Sequence, residues 1–107
     1  MGLDISLEVV QPCDVYSANI THNLGKMAGA VGIYEALWHP VDSGITHAKQ
    51  LIKPLDDAIA EMRLHPARFK QHDSINGWGT YDDFLPWLVR LREACREHPD
   101  ATIRVSI

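Results

Sequence analysis

Leu3, Ile5, Leu7 and Val9 alternate with Asp4, Ser6 and Glu8, so residues 3–10 read as a strand with one wet face. Ala101, Ile103, Val105 and Ile107 alternate in the same way with Thr102, Arg104 and Ser106, which predicts a closing strand. Everything periodic between these ends has helical spacing. Leu24, Met27, Ala28 and Val31 share one face, with Thr21 as an N-cap and Gly32 suited to the C-terminal turn. A short helical turn through Ile33, Tyr34 and Leu37 follows and stops at Trp38-His39-Pro40, and 41–45 is a loop. The stripe Ala48, Leu51, Ile52, Leu55, Ala58, Ile59 and Met62 predicts a helix over 46–64. Pro54 lacks an amide hydrogen and clashes with the carbonyl four residues back, so a kink or break is expected near Lys53. His65-Pro66 ends this helix, and 66–79 reads as a polar loop turning at Asn76-Gly77. The last helix starts at Thr80, sets Asp82 and Asp83 in its first turn and buries Phe84, Trp87, Leu88, Leu91, Ala94 and Cys95. His98-Pro99-Asp100 then turns the chain into the final strand.

The pattern defines an α+β fold, β-α-α-α-β. Its small sheet is formed by the N- and C-terminal strands, paired antiparallel, and packs against three to four helices. An open sheet edge offers a route to a homodimer. With 107 residues, 46% hydrophobic and 22% charged, the chain suits a single globular domain over 1–107.

Charge narrows the function classes. Ten Lys and Arg against fourteen Asp and Glu give a net −4, so no overall basic field draws in a nucleic-acid backbone, and sequence-independent nucleic-acid binding is excluded. Arg90, Arg92 and Arg96 alternate with Glu93 and Glu97 at helical spacing, a solvated face laced with ion pairs. Cys13 and Cys95 form no CxxC motif and are expected to be reduced thiols. No signal peptide or apolar run long enough for a membrane span is found, so a cytoplasmic protein is expected. The sequon Asn19-Ile20-Thr21 is short enough to arise by chance.

Three segments carry candidate chemistry. In Asn19-Ile20-Thr21-His22-Asn23, free N–H groups at a helix start and polar side chains, with Lys26 one turn on, could hold a phosphate or carboxylate. The competing reading is a capped helix, although one cap needs fewer polar residues than stand here. Gly25, Gly29 and Gly32 follow, at a spacing that is not the dinucleotide fingerprint, and close helix packing explains them first. Tyr34 to Pro40 and Asn76 to Tyr81 place Trp38, Trp78 and Tyr81 at helix boundaries, where aromatics either close a core or stack on a ligand. None of the six histidines has metal-ligand spacing, so neither a metal nor a cofactor is expected. His65 and His98 precede prolines at helix ends and read as structural, which leaves His22 and His39 for acid–base work. No serine sits in a nucleophile elbow and nothing near Cys13 would activate it.

Taken together, SANITHNLGKMA, GIYEALWHP, NGWGTYDDFLPWL and the ending ACREHPDATIRVSI resemble a family of small proteins encoded in bacteriophage and prophage genomes. The resemblance covers nearly the whole chain. It implies a protein made in the bacterial cytoplasm that binds a host protein or a host signalling molecule, and it supplies no catalytic residues. The resulting expectation is a non-enzymatic binding protein. Its site would join Asn19, Thr21, His22, Asn23, Trp38, His39, Trp78 and Tyr81, and its ligand would be a nucleotide-like anion or an acidic patch on a host protein. The alternative is a small hydrolase or transferase with His22 or His39 as general base.

Overall fold

The computed structural model describes residues 2–9 and 14–107. Strands β1 (Gly2–Glu8) and β2 (Asp14–Thr21) come first, then a 3-10 turn (His22–Leu24) and helices α1 (Gly25–Val31) and α2 (Tyr34–Trp38). Helices α3 (Ala48–Leu64), α4 (Pro66–Lys70) and α5 (Tyr81–Glu97) follow, and β3 (Thr102–Ser106) closes the chain. The fold is α+β, with strands at both ends as expected.

The sheet is antiparallel in the order β2-β1-β3, so the terminal strands do pair and a third strand joins them. That third strand, β2, was not expected from the pattern. Its core-facing positions are Tyr16, Ala18 and Ile20, opposite Leu7, Ile5 and Leu3, and only Ile20 is fully buried. One small residue and one half-buried phenol weaken the alternation, so Asn19 and Thr21 read as a helix start when they are in fact the wet face of a strand.

Register accounts for the two faces of the sheet. Leu3, Ile5, Leu7, Ile20 and Ile103 face the helices and are buried. Asp4 lies opposite Asn19 and Ser106, and Ser6 opposite Ser17 and Arg104, on the other side. Arg104 also pairs with Glu8 at 3.0 Å. The helical layer over the apolar face is dominated by α3, through Leu51, Leu55, Ile59 and Met62, and α5, through Phe84, Leu88, Leu91 and Cys95. Asp56 on α3 receives Arg92 at 3.3 Å and Arg96 at 3.1 Å from α5, so the expected ion-pair face also ties two helices together.

Several local expectations change. Helix α3 runs unbroken through Pro54. The hydrogen bond that proline forgoes is to the carbonyl of Gln50, on the exposed side of the helix, so no core group is stranded. The helix starts at Ala48 because Gln50 folds back, its Oε1 accepting from the N–H groups of Thr46 (2.9 Å) and His47 (3.0 Å). The segment read as a loop after Pro66 opens with α4, where proline at the first position suits a helix and Phe69 is buried. The edge of β3 is partly covered: Ile103 N–H donates to Thr46 O and Ala48 N–H to Ala101 O, both at 2.9 Å.

Helices α2, α3 and α5 end in the same joint. His39, His65 and His98 close them with φ of −135°, −129° and −130° and ψ of 58°, 59° and 61°, and each precedes a proline. The proline ring disfavours the helical conformation in the residue before it, which favours the stop at these ends, although Lys53 and Leu85 stay helical before Pro54 and Pro86.

Cys95 is fully buried, and burial pushes its thiol up to about 12. Cys13 and Val10, the end of the expected first strand, lie outside the described residues. Among the described residues no helix is long and apolar enough to cross a membrane.

Candidate functional site

Where β2 ends, Thr21 is still extended (φ −66°, ψ 142°) and its Oγ1 accepts from the N–H of Asn23 at 3.4 Å, starting the 3-10 turn. That is the cap expected of Thr21. One cap leaves Asn19, His22 and the side chain of Asn23 for other work. Asn19 Nδ2 donates to Asp4 Oδ1 across the strand pair, on the wet face of the sheet. Asn23 Nδ2 crosses to the other segment and donates to the carbonyl of Trp78 at 3.0 Å.

The receiving loop holds its own shape. Asn76 Oδ1 accepts from the N–H of Trp78 at 2.9 Å and from the Ser74 hydroxyl. Ser74 N–H donates to Gly79 O at 3.2 Å. Asp73 Oδ1 accepts from the N–H of Tyr81 at 2.7 Å, and Thr80 Oγ1 caps α5 through the N–H of Asp83 at 3.3 Å. Gly79 sits at φ +99°, a conformation that favours glycine, and a Cβ there would meet Thr21 Cγ2 at 3.0 Å, Asn23 Cβ at 3.1 Å and Leu24 Cγ at 3.2 Å. Glycine is therefore required by both dihedral and space, and the two segments close on each other at that point.

Two hollows adjoin this joint. The larger, about 600 Å³, is lined by His22, Asn23 and Lys26 from one segment and by Gln71, His72, Asp73, Ser74 and Ile75 from the other. The smaller, about 360 Å³, is lined by Gly2, Asn19, Thr21 and Trp78. The Trp78 side chain is 70% exposed and Ile75 is fully exposed.

The eight expected site residues thus separate into groups. Asn19, Thr21 and Trp78 share the smaller hollow, and His22 and Asn23 the larger. Tyr81 is buried beneath the loop, its hydroxyl donating to the carbonyl of Met62 at 2.8 Å. Trp38 and His39 line neither hollow. Trp38 is buried and stacks on Tyr34 with ring centroids 4.9 Å apart, His39 meets the same ring edge-on at 5.9 Å, and Trp38 Nε1 has no partner among the described residues. His39 also shares the backbone geometry of His65 and His98, the two histidines read as structural.

The glycine series divides as well. A left-handed helix end accounts for Gly32 at φ +87°, whereas a Cβ on Gly25 would meet the Tyr34 ring at 3.4 Å, an ordinary contact that does not require glycine. Gly29 is exposed, with nothing within 4 Å of its Cβ position, so close packing does not explain it.

For acid–base chemistry, neither His22 nor His39 has a hydrogen bond or ion pair to a carboxylate among the described residues. The histidine–carboxylate pairs present are His65 with Glu61 at 3.9 Å and His98 with Glu97 at 4.0 Å. Among the described residues no group of three or more His, Cys, Asp or Glu side chains is placed to hold a metal ion. Compared with protein-family models, with characterised proteins and with solved structures, the chain shows no match.

Sequence reasoning passed over Gln71, His72 and Asp73. Their signal was a polar run, QHDS, directly before the turn. Nothing local in it points to His22, because the approach depends on how α4 and α5 pack.

Proposed function

We propose that the protein is a non-enzymatic binding protein that takes its ligand at the joint between residues 19–26 and 71–80. The observation carrying this is the Asn23–Trp78 hydrogen bond, which joins two segments distant in sequence, with Asn23 lining one hollow and Trp78 another. The larger hollow, about 600 Å³, falls in the range of small-molecule sites. His22, Lys26 and His72 supply it with hydrogen-bond donors beside the single acid Asp73, and a ligand lying across the joint would meet the exposed ring of Trp78. A small nucleotide-like anion fits these features best.

A second reading, docking of a host protein, draws on the exposure of Ile75 and Trp78, since exposed apolar and aromatic side chains on one loop suit a partner surface. The hydrolase or transferase reading has less support, because among the described residues no carboxylate bonds to His22 to orient its imidazole. If the resemblance to phage-encoded proteins holds, either activity would be exercised in the cytoplasm of an infected bacterium.

Native mass spectrometry of the chain purified from a bacterial lysate tests the proposal. A retained small anion that is lost from the double variant His22→Ala, Asn23→Ala supports the first reading, and a protein adduct lost in the same way supports the second. A bare chain under all conditions, or an adduct indifferent to the double variant, argues against this face as the site.

A further inference from the structure

We infer that the larger hollow is a phosphate subsite, taking a phosphate group either free or carried on a small molecule. This deepens, and rests on, the reading of that hollow as a binding site. Two walls built far apart in sequence supply its donors, His22 and Lys26 from one and Gln71 and His72 from the other. None of these four side chains makes a hydrogen bond or ion pair with another described residue, so all four remain available to a ligand. The other polar groups of the lining are already engaged. Asn23 is bound to the Trp78 carbonyl at 3.0 Å, Ser74 donates to Asn76, and Asp73, the one acid present, accepts from Tyr81 N–H at 2.7 Å.

The donor types narrow the anion further. No arginine lines the hollow, so the two-pronged fork that matches a planar carboxylate is missing. Ammonium, imidazole and amide groups each donate at a point, and here they come from opposite walls. A tetrahedral phosphate, whose terminal oxygens point in several directions out of one plane, offers more acceptors to the two walls than a planar carboxylate does.

The test is an amide NMR titration of the full chain at fixed ionic strength with inorganic phosphate, adenosine monophosphate and adenosine. Phosphate or the monophosphate should shift signals of residues 22–26 and 71–74 saturably. The double variant Lys26→Gln, His72→Gln should fold normally and weaken that binding by at least about tenfold. Tighter binding of the monophosphate than of phosphate points to a phosphorylated metabolite, and the reverse order to free phosphate; either supports the inference. It is overturned if neither phosphate-bearing probe saturates, or if the double variant leaves binding unchanged. Adenosine binding as tightly as its monophosphate also overturns it, while leaving the hollow standing as a binding site.

Discussion

The hydroxyl of Tyr81 donates to the carbonyl of Met62 at 2.8 Å, and that carbonyl has no helical donor because the residue four places on is Pro66. The phenol of one helix completes the end of another. Tyr81→Phe keeps the ring and strands the carbonyl in the core, at a cost of about 1–3 kcal/mol. Urea denaturation should show a lower midpoint with an unchanged slope; a midpoint equal to that of the parent would mean water replaces the hydroxyl.

The Asn23–Trp78 bond is exposed, so its removal should disturb local order more than global stability. Asn23→Ala should cost at most about 1 kcal/mol, while amide exchange over residues 74–79 accelerates. Unchanged exchange there would show that packing around Gly79 holds the joint alone.

Three glycines should answer alanine differently. Gly79→Ala meets a left-handed backbone and three close neighbours, and should cost at least about 1–3 kcal/mol. Gly77→Ala, at φ +78° in open space, bears only the dihedral cost of about 1–2 kcal/mol. Gly29→Ala, within α1 and without a positive φ, should stabilise by about 0.5–1 kcal/mol. Thermal melts should rank them in that order, and a destabilising Gly29→Ala would reveal a close neighbour at that exposed stripe.

Burial pushes the Cys95 thiol up to about 12, and burial likewise raises Tyr16, with the Arg90 guanidinium opposing it. Both groups hold their protons longer when folded than when unfolded. Their contribution is therefore complete below the unfolded thiol value and is lost as pH climbs from about 9 towards the folded value. Denaturation midpoints should fall over that window, and Cys95→Ala should flatten the fall. Native alkylation of Cys95 at neutral pH should be slow, and labelling at the rate of a free thiol would contradict the burial.

Strong local signals made most of the fold legible. Leu3, Ile5 and Leu7 alternate without exception and are all buried, and Thr80 with Asp82 and Asp83 marks a helix start that the structure reproduces within one residue. The second strand escaped because Ala18 gives its core face too little hydrophobic contrast. The sequence around Pro54 shows only the general effect of proline on helices, whereas its consequence depends on which carbonyl it leaves bare and whether water reaches it. For the candidate site, residues 19–23 and 76–81 stood out by their polar and aromatic content. That they adjoin, that Trp38 is buried elsewhere, and that His72 faces the same hollow as His22 are consequences of helix packing, which no short stretch encodes.

The recurring His-Pro joint separates two kinds of information at one corner. Lys53 before Pro54 and Leu85 before Pro86 stay helical inside α3 and α5, so a proline ring only disfavours the helix in the residue before it, and the bend after Trp38, Leu64 and Glu97 needs the packing around it as well. The direction of the chain at these three corners is thus biased locally, by a dipeptide, and settled by the packing around it. The local bias belongs to the proline and not to the imidazole: exchanging His39, His65 or His98 should leave it in place, while exchanging Pro40, Pro66 or Pro99 should remove it and leave packing alone to end the helix.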